Sequence, residues 1–294
     1  MNKFILSCES TADLPFSYLQ EKNVPVIFYT YTINGVEYED NAGRSDSAKA
    51  EFYRLIKEGG LPSTSQINEI RYEEFFDSLL QKGDVLHVAF GTGMTPSYHR
   101  AVEAVEKLKS KYPNRKIIVV DSLCSSGGYG LLMDCAIELR EQGKSMEQIY
   151  QWIIENRNKL HHQFFSTDLT LFKRSGRVSG LSAMLAGILD INPLMHLNSE
   201  GRIVAYGKVR GLKKTIKKTV DEVMLHIDHG DEYCDKLYVA HSECIDLAKE
   251  VISELESRLP KLVGKIKILQ IGSIITSHCG KGTVAVFFWG DERK

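Results

Sequence analysis

The segment Asp84-Val85-Leu86-His87-Val88-Ala89-Phe90-Gly91-Thr92-Gly93-Met94-Thr95-Pro96-Ser97 decides the fold class of this chain. Its first half has the composition of a buried strand, and glycines with hydroxyl residues then lead into a charged amphipathic helix at Tyr98–Lys111. Strands separated by helices of this length form a parallel sheet with helices on both faces. Because ligands bind beyond the carboxyl ends of such strands, the loops after Phe90 and after Asp121 are the expected location of a site.

The same alternation extends over the first half of the chain. Strands are predicted at Lys3–Cys8, Val24–Ile33, Asp84–Phe90 and Lys116–Asp121, and helices at Ser47–Glu58, Ile67–Gln81, Tyr98–Lys111 and Tyr129–Arg140. Asn34-Gly35 is a strong hairpin signal. Asp13 shortly before Pro15 is typical of a helix N-cap.

The pattern changes after a predicted helix at Met146–Leu160. The later elements are a strand at Gln163–Ser166, a nearly all-apolar helix at Leu181–Leu189, a hairpin of Leu194–Leu197 with Ile203–Val209, helices at Leu212–Ile227 and Cys244–Leu259, and strands at Lys236–Ala240, Lys265–Ile271 and Val284–Trp289. We therefore predict an α/β protein of two domains. Residues 1–160 form the parallel sheet with helices on both faces, and residues 161–294 form a second α/β domain with antiparallel elements.

Charge and cysteine usage exclude several classes of protein. The formal net charge of −1 provides no field that would recruit nucleic acid or an anionic membrane. The six cysteines are scattered without a Cys-x-x-Cys pair, which favours free thiols in a reducing cytosol over a metal cage or a redox dithiol. Phe4-Ile5-Leu6-Ser7-Cys8 superficially resembles a lipoprotein cleavage site, but its apolar run is too short for a signal peptide. Leu181–Leu189 is too short for a transmembrane segment. We expect a cytoplasmic protein.

Three polar segments are predicted where strands give way to loops. They are Ser63–Gln66, Gly91–Ser97 and Thr276–Thr283, and none of them contains an acid. Hydroxyls, glycine-exposed N–H groups and the imidazole of His278 can hold an anion without a fixed counter-charge. The segments therefore point to a carboxylate or phosphate ligand at an acid-free edge of the sheet.

The usual cofactor motifs are incomplete. Gly91-x-Gly93 lacks the third glycine of a dinucleotide fingerprint, because Pro96 occupies that place. Gly143-Lys144-Ser145 and Gly280-Lys281 lack the earlier glycine of a phosphate-binding loop, and no Gly-x-Ser-x-Gly elbow occurs. His226 and His229 lack further zinc ligands in sequence and are interpreted as solvated. We expect no cofactor and no metal.

Each polar feature also has a simpler interpretation. Ser63–Gln66 could be a capping box for a helix beginning at Ile67. Gly91–Ser97 repeats this arrangement of hydroxyl residues entering a helix after a strand, which weakens that interpretation, because two helix N-termini would focus positive potential on one anion. His278 could be a buried turn residue. The basic turn Lys173–Arg177 and the lysine stripe Lys213–Lys218 could be solvated, although the stripe also suits an acidic partner.

Seven short strings, taken together and in order, resemble one family. They are Ser10-Thr11-Ala12-Asp13-Leu14-Pro15, Thr64-Ser65-Gln66, Thr95-Pro96-Ser97-Tyr98, Asp121-Ser122, Lys173-Arg174-Ser175-Gly176-Arg177, Lys208-Val209-Arg210-Gly211 and Ser277-His278-Cys279-Gly280. Over essentially its whole length the chain resembles the DegV family, the bacterial fatty-acid-binding subunits of fatty acid kinase. It departs from the family pattern in having Glu9 for aspartate, Ile67 for proline, Thr95-Pro96 for Ser-Gly and Ser175 for glycine.

The resemblance implies one long-chain fatty acid, such as palmitate, buried between two domains. Its carboxylate would be held by Thr64 and Thr95, with His278 nearby, and a separate ATP-dependent kinase would phosphorylate it. The expected ligand-binding residues are Thr64, Ser65, Thr95, Ser97, His278 and Arg210, and the expected partner-docking residues are Arg174 and Arg177. The lysine stripe could extend the docking face.

The residues themselves leave three functions open. The first is a carrier, in which the apolar helix Leu181–Leu189 lines an acyl tunnel; burying about 14 methylenes would give about 11 kcal/mol before ordering costs. The second is an acyl- or phosphoryl-transfer enzyme with His278 as general base. The third is a sensor of another small anion, such as a phosphorylated metabolite.

Overall fold

The computed structural model describes residues 4–41, 43–179 and 191–294, and within these ranges the chain is a mixed α/β protein. The strands are β1 (Phe4–Glu9), β2 (Val26–Ile27), β3 (Thr30–Ile33), β4 (Val36–Glu39), β5 (Ser63–Ser65), β6 (Asp84–Ala89), β7 (Ile117–Asp121), β8 (Leu160–Ser166), β9 (Val178–Ser179), β10 (Ile191–Leu197), β11 (Ile203–Arg210), β12 (Tyr238–His241), β13 (Lys267–Gln270) and β14 (Thr283–Trp289).

The helices occupy most of the predicted positions. They are α1 (Phe16–Glu21), α2 (Asp46–Lys57), α3 (Glu69–Leu80), α4 (Ser97–Leu108), α5 (Ser126–Glu141), α6 (Met146–Asn156), α7 (Thr170–Ser175), α8 (Leu212–His226), α9 (Ile245–Arg258) and α10 (Ser273–Cys279). The predicted apolar helix Leu181–Leu189 lies outside the described residues.

The first sheet has the order β2-β1-β6-β7, and all its neighbours are parallel, as predicted. Its carboxyl ends carry Glu9 on β1, the loop after Ala89 on β6, and Asp121 on β7. These positions meet at one edge, which is where the hydroxyl loop Gly91–Ser97 begins.

The second sheet has the order β13-β12-β14-β8-β10-β11-β9 and is mixed. Its central pairs, from β12 through β14, β8 and β10 to β11, are antiparallel, as predicted for this part of the chain. A small antiparallel sheet, β4-β3-β5, is built on the hairpin turn Asn34-Gly35, where both residues have positive φ as such a turn requires.

Helix α5 packs against β8, β12 and β14, and nearly all of its first three turns are buried. Its Tyr129 also reaches the first sheet, where the hydroxyl donates to the carbonyl of Val88 and accepts from the N–H of Glu9. The largest hydrophobic core accordingly combines residues of both sheets, such as Leu6 and Phe287. The proposed boundary near residue 160 stays a prediction.

Several local predictions are wrong. Val24–Ile33 is two strands in different sheets, since β2 pairs with β1 whereas β3 pairs with β4 and β5. Asp13 is not an N-cap; it has a φ of 52° and its carboxylate accepts a hydrogen bond from Ser126 at 2.5 Å. Leu160 does not end a helix but begins β8. In the part of the chain that the structure describes, we find no helix with the length and apolarity to span a bilayer.

Candidate functional site

A cavity of about 310 Å³ is lined by residues of the mixed sheet and of the small sheet β4-β3-β5, and by the loop that follows β6 of the first sheet. Its apolar lining comprises Phe90, Met94, Pro96, Phe164, Phe172, Leu197, Ile203, Ile271, Ile274, Ile275, Cys279, Ala285 and Phe287. Its polar lining comprises Tyr29, Thr64, Ser65, Gln66, Thr95, Ser125, Ser126, His162, Ser175, Arg177, His278 and Thr283. None of these described lining residues is an acid, so an anion can enter without meeting a carboxylate on the wall.

Thr64 and His278 meet on the wall of this cavity. The Oγ1 of Thr64 lies 2.8 Å from the Nε2 of His278, although 214 positions separate the two residues in the chain. Thr64 is on the edge strand β5, which pairs with β3, and His278 is on the short helix α10. The structure thus brings together two residues that were predicted to share a site.

The interpretation of Ser63–Gln66 as a capping box is wrong. Ser63–Ser65 is a strand, and Asn68 caps α3 by accepting a hydrogen bond from the N–H of Arg71 at 3.0 Å. Thr64 therefore does not sit at a helix N-terminus, and of the two hydroxyl segments only Gly91–Ser97 leads directly into a helix, α4. A second helix N-terminus at the cavity belongs to α5 instead, where Ser125 and Ser126 line the wall.

Thr95 and Ser97 are linked to each other at the start of α4. Their hydroxyl oxygens lie 3.0 Å apart, and the N–H of Ser97 donates to Thr95 Oγ1 at 3.4 Å. Thr95 lines the cavity, whereas Ser97 is fully buried and is not among the described lining residues. A ligand would meet Thr95 directly and Ser97 only through it.

Glu9 lies behind the cavity and was missed as a site residue. Its fully buried carboxylate accepts from the hydroxyls of Tyr29 (2.9 Å) and Tyr72 (2.6 Å) and from the N–H of Phe90 (3.1 Å). Burial and this carboxylate raise the pKa of Tyr29 well above its usual value, so Tyr29 keeps its proton. The expectation of an acid-free edge is therefore wrong for the sheet, although it holds for the described cavity wall.

His162 lines the cavity and was also missed by sequence reasoning. Its Nε2 accepts from the N–H of Ser125 at 3.1 Å, and its Nδ1 lies 3.1 Å from the carbonyl oxygen of Leu160. This arrangement fixes the tautomer with the proton on Nδ1. Burial and the charge of Arg293 lower the pKa of His162 well below its ordinary value, so the ring is a neutral part of the wall.

His278 is also neutral at physiological pH. Burial, and secondarily the positive charge of Arg177, lower the pKa of His278 to about 4. Arg177 itself lines the cavity, and its guanidinium donates to the carbonyl oxygen of Ser175 at 2.6 Å. Among the described residues, the hydrogen bond of His278 is the one from its Nε2 to Thr64.

The lowered pKa of His278 predicts a pH dependence of stability. Between the unfolded value of 6.5 and the folded value of about 4, the unfolded chain binds a proton that the folded chain does not. The free energy of unfolding should therefore fall as the pH is lowered through this window, by at most about 3 kcal/mol from this group. Urea unfolding of the ligand-free protein and of His278→Gln, at pH 7 and pH 4.5, tests this: the advantage of the wild type should shrink at low pH. A constant difference would contradict the assignment.

The remaining predicted site residues do not all lie at the cavity. Ser65 lines the cavity beside Thr64. Arg210, at the end of β11, is exposed and does not belong to the described lining, so the structure does not bring it to the other ligand-binding candidates. Arg174 is exposed on α7, close in sequence to the lining residue Arg177. The roles assigned to these residues stay predictions.

A family model described as an uncharacterised protein of the DegV family matches residues 3–291. A DegV domain-containing protein of Clostridium perfringens is 35% identical over 295 residues, covering 100% of both chains. Among solved structures, a DegV family protein from Thermus thermophilus described by its fatty acid binding is 26% identical, with a TM-score of 0.84 over 99% of this chain and 100% of the other.

A third comparison concerns the fold alone. A stearic acid-binding protein from Eubacterium ventriosum is 21% identical, with a TM-score of 0.85 over 97% of this chain and 98% of the other. The arrangement of a parallel and a mixed sheet is therefore shared with proteins whose sequences have diverged widely.

Proposed function

The chain belongs to the DegV family, and we propose that it is a long-chain fatty-acid-binding protein that presents the carboxylate of its ligand to a partner kinase. The observation that carries the proposal is the contact of Thr64 with His278 on the wall of a cavity whose described lining combines apolar and polar side chains and contains no acid. The fatty acid binding described for the Thermus thermophilus relative supports it. The cavity volume falls at the lower end of the roughly 300–1,000 Å³ of small-molecule pockets.

The polar groups on the cavity wall can orient a carboxylate that then reacts with ATP. When the proton of His278 is on Nε2, the imidazole donates to Thr64 and leaves the hydroxyl hydrogen of Thr64 free for the ligand. The hydroxyl of Thr95 supplies a second donor. Neutral donors orient the carboxylate but do not neutralise it, so one oxygen can still attack the terminal phosphorus of ATP on a kinase, releasing ADP and forming an acyl phosphate.

Mass spectrometry of an organic extract of the purified protein tests the ligand. We expect about one fatty acid of palmitate-like length per chain. A phosphorylated metabolite would instead support the anion-sensor alternative, and the absence of any acyl ligand after incubation with fatty acid would contradict the proposal.

Replacing Thr64 with valine should weaken fatty acid binding. The substitution keeps the shape of the side chain and removes the donor, which should cost about 1–3 kcal/mol of binding free energy. A titration with a fluorescent fatty acid measures this. Thr32→Val is the matched control, because Thr32 lies on the neighbouring strand β3, opposite Ser63, and is not among the described lining residues. Equal affinity of both variants and wild type would remove Thr64 from the site.

The partner surface is proposed to include Arg174, Arg177, Arg210 and the lysine stripe Lys213–Lys218. Arg174 and Arg210 are exposed, and arginine binds carboxylates and phosphates bidentately. Lys213, Lys214, Lys217 and Lys218 are exposed along one side of α8, directly after Arg210.

Arg210→Ala should slow kinase-dependent phosphorylation and reduce its salt sensitivity, while bound fatty acid is retained. Arg115→Ala is the control, because Arg115 is exposed before β7, at the amino end of the sheet and away from the cavity. Loss of lipid from Arg210→Ala would place Arg210 in the ligand site, and unchanged phosphorylation would end the docking hypothesis.

An acyl- or phosphoryl-transfer enzyme is the second candidate, favoured by the same Thr64–His278 pair, since a hydroxyl and an imidazole at 2.8 Å can act as nucleophile and base. A pKa of about 4 makes His278 a weak base, which favours the carrier. Turnover of acyl substrates by the purified chain without a partner would support the enzyme instead.

The free thiols of all six cysteines suit a reducing compartment, and we place the protein in the cytoplasm.

A further inference from the structure

Two histidines and one aspartate converge on the surface of the second sheet, away from the cavity. His161 is near the start of β8, His226 is the last residue of α8, and Asp291 follows β14. One ligand atom of each residue lies within 4.8 Å of the others. His226 was interpreted as a solvated helix residue, but its Nδ1 is 3.0 Å from Asp291 Oδ1, and His161 is the additional histidine that the local sequence did not provide.

The backbone holds these three residues in place. His161 lies opposite Phe288 in the β8–β14 pairing, and its ring stacks on that of Phe288 at 5.1 Å. An isolated bridge between Ile227 and Gly290 joins the end of α8 to the end of β14, and the N–H of Asp291 donates to the carbonyl of His226 at 3.1 Å. The cluster is therefore preorganised by the fold.

Gly290 makes this close approach possible. A Cβ at this position would lie 2.2 Å from the carbonyl oxygen of His226 and 3.1 Å from Cδ2 of His161. Only glycine allows the end of β14 to pass so near both histidines. The chain beyond Asp291 is fixed as well, since the N–H of Arg293 donates to the carbonyl of Asn158 at 2.8 Å.

We propose that His161, His226 and Asp291 form a binding site for a borderline divalent transition metal, with Zn²⁺ as the ion that fits best. The nitrogens of both imidazoles lie 3.0 Å from the same oxygen, Asp291 Oδ1. Tetrahedral zinc with bonds of about 2.0–2.2 Å separates its donors by about 3.3 Å, so the three donors have to move apart to admit the ion. His161 Nε2 also has to give up its 2.8 Å contact with the main-chain oxygen of Asp291.

The donor set selects the class of metal. Two imidazole nitrogens and one carboxylate oxygen suit zinc, cobalt or nickel, whereas calcium and magnesium require oxygen ligands. The two rings are nearly parallel at 5.0 Å, so coordination requires them to tilt toward one ion. Because the side chain of Asp291 is 56% exposed, water can supply the fourth ligand. The metal would tie the end of α8 and the C-terminal segment to β8.

Competition titration of Zn²⁺ against a chromophoric chelator tests the site in the full chain. The exposed thiol of Cys234 is first removed by Cys234→Ser, because it could bind zinc independently. In this background we expect His226→Gln and Asp291→Asn each to weaken binding at least roughly tenfold. His229→Gln is the control, since His229 is exposed three residues away and outside the cluster.

Thermal unfolding with and without Zn²⁺ provides an independent measurement. Binding to the folded state should raise the melting temperature of the parent and of His229→Gln, and should raise it much less in the two cluster variants. Melting curves recorded without metal check that the variants fold. His226 and Asp291 were chosen for substitution because both side chains are partly exposed. Equal zinc affinity in parent and cluster variants, or no zinc binding by the parent, would overturn the proposal and establish the cluster as a hydrogen-bonded contact only.

Discussion

Ala285→Phe should exclude long fatty acids from the protein while leaving its folded state stable. Ala285 lies on β14, is buried and lines the cavity, so a larger side chain can occupy space that the ligand would use. A phenyl ring displaces about six methylenes, and at roughly 0.8 kcal/mol each the affinity for a palmitate-length acid should fall by about 5 kcal/mol, or more than a thousandfold. Shorter acids should still bind. The measurement is the profile of extracted lipids, together with titration of fatty acids of increasing length.

Ala240→Phe is the matched control for this substitution. Ala240 lies directly opposite Ala285 on the neighbouring strand β12, is fully buried, and is not among the described residues of the cavity wall. Without free space to fill, its phenyl ring should overpack the core and lower the free energy of unfolding by about 1–3 kcal/mol, without changing the preferred chain length. If Ala285→Phe behaved in the same way, the cavity would not be the acyl site.

Much of the fold could be predicted because its signals are local. Alternating strands and amphipathic helices, the Asn34-Gly35 turn and the apolar strand before Gly91 each act over a few residues. The split of Val24–Ile33 was not visible, because β-branched and aromatic residues suit a strand in either sheet. Nor was the strand at Ser63–Ser65, since pairing with β3 overrides the local capping signal.

The site was predictable only where short motifs pointed to it. Thr64, Thr95 and His278 belong to segments rich in hydroxyls and glycine, and the structure places all three on one cavity. Glu9 and His162 were missed because their roles depend on partners far along the chain, such as Tyr72 for Glu9 and Ser125 for His162. Burial of a polar side chain cannot be inferred from its neighbours in sequence.

Gly93→Ala should disrupt both stability and ligand binding, because Gly93 lets the hydroxyl loop approach the second sheet. A Cβ at this position would lie 2.3 Å from the carbonyl carbon and oxygen of Gly201 and 2.8 Å from the backbone nitrogen of Arg202, in the turn between β10 and β11. These are backbone atoms, so no side-chain rotation relieves the clash and the loop has to move, taking Thr95 with it. We expect a loss of about 3 kcal/mol in the free energy of unfolding.

Urea unfolding and fatty acid titration of Gly93→Ala measure the two effects, with Gly207→Ala as the control. Gly207 lies on β11, and a Cβ there would meet only the side chain of Leu194 at 3.6 Å or more, which is an ordinary contact. Its replacement should change the free energy of unfolding by no more than about 0.5 kcal/mol. If Gly93→Ala had wild-type stability and affinity, the position of the loop Gly91–Ser97 would not depend on its close approach to Gly201. Loss of affinity in that variant, after correction for the unfolded fraction, would instead show that the turn of the second sheet holds the loop, with its lining residues Met94, Thr95 and Pro96, in position for the ligand.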